Sequence, residues 1–311
     1  MPATGHSAAI HCPARIELAE LIGLKPAGES LKLTALRVRA PGAGGHVSAF
    51  KGRGVEFDEA RPYEPGDDLR TMDWRVTART GKPHTKVFRE ERDRPVIVWL
   101  DLRRPMHFAT HGAFKSVRAA QAAALVAWSA VGNGDRLGGL VFAEHEHVEL
   151  RPRLGRRAAL RLFQTLRQDQ FWNAPAGRED GVENAERALL RLTRVARPGS
   201  LIFLLSDFRM LGELLERHLR QLARHCDLFL VHFFDTLERE LPPPGRYRIH
   251  MQGRTLAIDT GGPAVRERYR AGFEQRRMRL EDMARAPAVH LLECATTEDP
   301  RRALAARFET R

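Results

Sequence analysis

Val96-Ile97-Val98-Trp99-Leu100-Asp101 is a continuous apolar run that closes on an acid. A strand with one face in water alternates apolar and polar residues. A run with no polar position must be covered on both faces, as in a parallel sheet flanked by helices. The pattern recurs at residues 200–205, closing on Asp207, and an apolar strand is expected again at 228–234. Helical spacing predicts helices over 114–131, 156–167, 182–195, 211–224, 265–285 and 299–308. Further strands are predicted at 137–142 and 289–292, with an edge hairpin at 144–150 and a polar hairpin around 246–258. Strands alternating with helices predict a doubly wound, mostly parallel α/β sheet of about six strands. In such sheets the ligand crevice lies beyond the carboxyl ends of the strands. Asp101 and Asp207 stand at two such ends.

Upstream the texture is different. Residues 14–24 repeat apolar positions at helical spacing, and 31–38 do so more weakly. Pro41-Gly42-Ala43-Gly44-Gly45 breaks that pattern. Residues 52–74 are turn-rich, with Pro65-Gly66 suited to a type II turn. The chain is therefore expected to divide at 94: a helical arm and irregular segment over 1–94, and the α/β domain over 95–311.

Lys and Arg number 51 against 39 Asp and Glu, a net charge of +12. Such an excess favours acidic partners: nucleic acid, anionic lipid or an acidic protein surface. Cys12, Cys226 and Cys294 are widely spaced and fit neither a disulfide framework nor a zinc ribbon. Residues 1–24 hold no hydrophobic stretch of signal length, and the most apolar helix is too short and Ala-rich to span a bilayer. A cytoplasmic, soluble protein is expected.

Between residues 45 and 91 a dense series of positions stands out. Gly45-His46 and Ser48 lead into Gly52-Arg53-Gly54-Val55-Glu56-Phe57. Arg61, Tyr63 and Gly66-Asp67-Asp68-Leu69-Arg70 follow, then Asp73-Trp74, Ala78-Arg79 and Glu91. In order and spacing these resemble the signature of the domain of unknown function 58 family, and the resemblance extends over about residues 45–295. It implies a von Willebrand factor type A-like fold. It also implies no enzymatic activity, and partnership with a MoxR-type AAA+ ATPase as adaptor or chaperone-like factor.

Type A domains hold Mg²⁺ through an Asp-x-Ser-x-Ser turn, a Thr from a later loop and an Asp after the fourth strand. A hard cation takes such oxygen ligands in near-octahedral order. Here the turn reads Asp101-Leu102-Arg103-Arg104-Pro105-Met106, so Arg103 and Pro105 replace the serines. The Thr position, expected near 180–184, offers neither Thr nor Ser. Asp207 matches the last ligand. A metal-free, degenerate site is expected, with Arg103 or Arg104 pairing with Asp101 and Asp207 in place of the ion. The alternative is that both acids merely cap the turns after their strands. No cofactor is expected.

Other candidates carry ordinary readings beside functional ones. Strand periodicity would put His145, His147 and Glu149 on one face, where two imidazoles and a carboxylate suit Zn²⁺; a solvated outer face is the plainer outcome. Asp67, Asp68 and Asp73, interleaved with Arg61, Arg70, Arg75 and Arg79, suggest ion pairs fixing an irregular segment, with Trp74 plugging it onto the domain. Gly81-Lys82 lacks the spacing of a phosphate loop, and no nucleophile elbow is present. Arg151, Arg153, Arg156, Arg157, Arg161 and Arg167 occur with no acid between them. A helix over 156–167 would set Ala158, Ala159, Leu162, Phe163 and Leu166 opposite a basic stripe. That stripe is a solvated face, a partner-docking surface or, without aromatic interleaving, a nucleic-acid contact. The expected function is a protein-interaction module docking through Asp101, Arg103, Arg104, Asp207 and the stripe. The alternative is a nucleic-acid-binding accessory protein.

Overall fold

The computed structural model describes residues 13–31, 55–64, 68–90, 95–172, 182–209, 212–251 and 254–308. Residues 32–38 of the weak helix expected over 31–38, the glycine-rich breaker, Gly54, Pro65, Gly66 and Asp67 lie outside the described residues. By packing, the chain divides into two compact units, Met1–Arg37 with Arg94–Arg311, and Val38–Asp93.

In chain order the large unit begins with α1 (Leu18–Gly23) and α2 (Lys25–Ser30). The small unit holds β1 (Val55–Pro62), α3 (Trp74–Thr80) and β2 (His84–Glu90). The large unit resumes with β3 (Pro95–Asp101), α4 (Lys115–Gly132), β4 (Arg136–Phe142), β5 (His147–Arg153), α5 (Arg156–Leu166) and α6 (Val182–Val195). Then come β6 (Leu201–Ser206), α7 (Glu213–Leu222), β7 (Asp227–Phe234) and α8 (Thr236–Arg239). The hairpin β8 (Arg246–Met251) and β9 (Arg254–Asp259), α9 (Pro263–Met283), β10 (Val289–Ala295) and α10 (Pro300–Phe308) complete it.

The sheet order is β10-β7-β6-β3-β4-β5, parallel throughout except for the antiparallel edge strand β5. The expected doubly wound α/β sheet is present, and the reason is visible in β3. All of its residues are buried, and they alternate between two cores. Val96, Val98 and Leu100 pack with α4 and α5, whereas Ile97 and Trp99 pack with α6 and α7. Two-sided cover is what an uninterrupted apolar run requires. The chain winds from β3 to β4, then returns past β3 to β6, so the winding direction reverses between β3 and β6. The register pairs Leu100 with Leu205, which sets Asp101 across from Ser206, the residue before Asp207, at that reversal.

The expected grouping of the N-terminal arm with the signature segment is corrected. Ile16, Leu21 and Leu31 are buried in the same core as Val96 and α4. The Trp128 indole donates to Leu21 O at 2.9 Å. A Cβ on Gly28 would lie 2.5 Å from Trp128 Cβ, so only glycine lets α2 come this close to α4. The arm is thus part of the α/β unit, fastened by burial against α4.

In the small unit β1 and β2 pair antiparallel, with an irregularity between Phe57 and Glu59. Here the expected ion pairing is corrected in part. Asp73 caps α3 by accepting from the backbone N–H groups of Arg75 and Val76 at 3.0 and 3.1 Å. Asp68 accepts from Arg70 N–H at 3.0 Å. Both carboxylates serve local turns, where short acidic side chains are best placed to satisfy free backbone donors. Trp74, expected as a plug, is 68% exposed. Arg61 lies near Glu64, at 3.8 Å, and Arg70 and Arg79 are exposed.

Candidate functional site at the carboxyl edge of the sheet

Asp101 is fully buried at the end of β3. Arg103, two residues on, folds back as a fork: Nε donates to Oδ1 at 2.9 Å and Nη2 to Oδ2 at 2.6 Å. Its backbone N–H adds a third bond to Oδ1 at 3.0 Å. Ser206, at the end of β6, donates to Oδ2 at 2.6 Å. Burial opposes the guanidinium charge, but the Asp101 carboxylate outweighs it and holds Arg103 above its ordinary pKa. The side chain of Arg103 is only 4% exposed. This two-point grip is the geometry a guanidinium is built for.

Asp207 is held differently. The expected Arg pairing reaches Asp101 but does not extend to it; Lys115, at the first turn of α4, takes that place. Its ammonium is fully buried and donates to Asp207 Oδ2 at 2.8 Å and to Glu238 Oε1 at 2.6 Å. Burial raises the Asp207 carboxyl, but the Lys115 charge and hydrogen bond, with a bond from Arg209 N–H, bring it down to about 2. Arg209 closes the group from outside, donating to Glu238 at 2.9 Å. Between Asp207 and Arg209, Phe208 is buried with φ of 50°, a left-handed conformation that a bulky residue rarely adopts. Its N–H donates to Ser206 Oγ at 3.0 Å, which pins the turn. Backbone strain of this kind persists where surrounding bonds over-determine it.

A third strand ends the same way. Asp235 follows β7 and caps α8 in a reciprocal box with Glu238. It accepts from Thr110 N–H at 2.8 Å, the Thr110 hydroxyl at 2.7 Å and the Thr296 hydroxyl at 2.7 Å. Burial would raise this carboxyl; the Thr110 bonds lead those that pull it below its usual range. The sequence signal, an apolar strand closing on an acid, was available at Phe234-Asp235.

The remaining candidates fall into place as follows. Arg104 is half-buried, and its backbone N–H donates to Glu144. Asn184, at the expected Thr position, is buried and donates to Ala143 O and Glu146 O, so it braces the β4–β5 turn. His145 and Glu149 are exposed and His147 is half-buried. Among the described residues no group of three His, Cys, Asp or Glu side chains is placed to hold a metal ion. Arg151, Arg153, Arg156, Arg157, Arg161 and Arg167 are all exposed, while Ala158, Ala159, Leu162, Phe163 and Leu166 are buried beneath them. Cys226 and Cys294 are free and buried, the burial pushing their thiols up to about 11 and about 12. Among the described residues no helix is long and apolar enough to cross a membrane.

The fold and this edge define a doubly wound α/β protein whose strand-end acids are met by its own cations. The chain belongs to the family described as protein of unknown function DUF58, whose model matches residues 59–279. It is 32% identical over 258 residues to the uncharacterized protein Rv1480 of Mycobacterium tuberculosis, a match covering 82% of this chain and 74% of that one. The uncharacterized protein Mb1516 of Mycobacterium bovis matches with the same identity and coverage. Among solved structures, the crystal structure of conserved hypothetical protein BatB from Bacteroides thetaiotaomicron is similar with TM-score 0.38 and 13% identity. That likeness covers 70% of this chain and 100% of the other.

Proposed function

We propose that this protein is a non-enzymatic interaction module, an adaptor for a MoxR-type AAA+ ATPase, built on a degenerate metal-ion-dependent adhesion site. The observation that carries the reading is the charge closure at the carboxyl edge. Asp101 is gripped by Arg103, and Asp207 by Lys115, so a guanidinium and an ammonium stand beside the two acids that would ligate an ion. A dication brought to the same place would meet two resident positive charges, and Arg103 and Pro105 supply no oxygen ligand. Acids engaged in this way are also poor general bases, since their lone pairs are taken by donors.

Arg103 is spent inside the protein and does not reach a partner. The docking residues of this reading are therefore Arg104 and Arg209 at the rim, with Arg156, Arg157 and Arg161 on α5 as a second surface. The AAA+ partner follows from the family resemblance of the signature segment. The test is a pull-down of a MoxR-type ATPase from the same genome with wild type, Arg104→Glu and Arg156→Glu/Arg157→Glu. Binding by wild type and its loss in either variant supports the reading and locates the interface; absence of wild-type binding overturns it. A nucleic-acid role would use the same stripe. It would show as a duplex-DNA mobility shift that weakens steeply with salt, because phosphate contacts release counterions.

A further inference from the structure

A cleft of about 560 Å³ opens beside the carboxyl edge. Its wall is one side of α9, where Arg268, Tyr269 and Arg276 fall within about a third of a turn of each other at 100° per residue. Arg209, Glu238, Val265 and Gly272 complete the lining. Glu238 is claimed from below by Lys115 and from the side by Arg209. Arg276 Nε is buried and has no hydrogen-bond partner, although buried donors are nearly always satisfied. Its guanidinium leans over the Phe273 ring at 5.8 Å. Burial and then the like charge of Arg209 pull its pKa below the ordinary value. Among the described residues around the cleft, the cations Lys115, Arg209, Arg268 and Arg276 outnumber the carboxylates of Asp207, Asp235 and Glu238. The excess is positive.

We infer that this cleft is the docking site for an acidic segment of a partner protein, a short stretch with paired carboxylates beside an apolar side chain. Guanidinium groups lining one cleft can match carboxylates bidentately. The apolar neighbour has its own place: Val265 is 47% and Tyr269 37% exposed at the rim. The Tyr269 hydroxyl donates to Leu237 O at 2.7 Å, which fixes the ring for contact. Tyr and Arg around one point are the composition of protein hot spots. Pockets for small ligands bury most of their occupant, whereas Arg268 and Tyr269 lie open to solvent. Nucleic acid would require charges strung along a backbone track, whereas these line a single cleft. The inference rests on the proposed function only for the kind of occupant, a protein segment.

The test is fluorescence anisotropy with a labelled peptide containing a Glu-Glu-Leu-Glu core, and with its Gln-Gln-Leu-Gln counterpart. The acidic peptide should bind, and Arg268→Gln/Arg276→Gln should weaken it at least tenfold, about 1.4 kcal/mol. Arg270→Gln/Arg301→Gln, which removes as much charge elsewhere, should leave binding unchanged. Equal binding of both peptides, equal loss in both double variants, or no binding by wild type overturns the inference. Tighter binding of inorganic phosphate or duplex DNA than of the acidic peptide reassigns the cleft and overturns it as well. If the peptide binds while the ATPase does not, only the partner reading fails. If the ATPase binds wild type and Arg268→Gln/Arg276→Gln alike, only the cleft fails.

Discussion

The carboxyl edge of the sheet and the face of α5 treat charge in opposite ways. At the edge, the side chains of Asp101, Arg103, Asp207 and Lys115 are each 4% exposed or less, and each has an opposite charge within 2.8 Å. On α5, Arg156, Arg157 and Arg161 stand in water above an apolar underside. Charge taken out of water is expensive unless compensated, so the edge is committed to architecture. Charge left in water costs the fold little and remains open to a partner. The difference teaches which residues should report on stability and which on binding.

The largest effect expected is from Lys115→Met, which leaves Asp207 and Glu238 without their shared buried cation and with only the half-exposed Arg209 beside them. Breaking a buried pair in this way costs about 3–5 kcal/mol, measurable as a lowered urea midpoint. Arg103→Met should cost less, about 2–3 kcal/mol, because Asp101 keeps Ser206 and a backbone donor. A Lys115→Met protein as stable as wild type would erase the distinction between the two regions.

Of these two regions, acid should act on the edge. The Asp207 carboxyl lies lower in the folded chain than its ordinary value of 3.8. Its ionised form therefore stabilises the fold fully above that value. The contribution is lost as pH falls toward about 2, at up to about 1.4 kcal/mol per pH unit. Asp207→Asn should flatten the stability profile in that window. On α5, Arg156→Glu/Arg157→Glu should change stability by no more than about 0.5 kcal/mol, seen as an unchanged midpoint in the same titration. A larger loss would mean that the stripe is structural.

Much of the fold was legible because two-sided burial writes itself into a strand. β3 and β6 have no polar interior position, and their closing acids fixed where the edge would be. An arginine partner for Asp101 was legible only as a choice between Arg103 and Arg104, because both stand within three residues of it and only the turn geometry decides which folds back. Lys115 was not: its partners lie 92 and 123 residues away, and such a pairing leaves no local pattern. The signature segment misled for a related reason. Alternating acids and arginines suggested ion pairs, yet Asp68 and Asp73 found nearer donors in their own backbone turns. Trp74, read from its bulk as a plug, is exposed, because side-chain size alone does not specify a packing partner.

Thermal unfolding with and without millimolar Mg²⁺ tests most directly whether the edge is closed by its own cations. The account predicts an unchanged melting temperature for wild type and for Asp101→Ala, each measured against its own metal-free sample. Binding to the folded state alone at a hundred times its dissociation constant would add about 2.7 kcal/mol. An upward shift in wild type that disappears in Asp101→Ala would contradict the account and restore a working metal site.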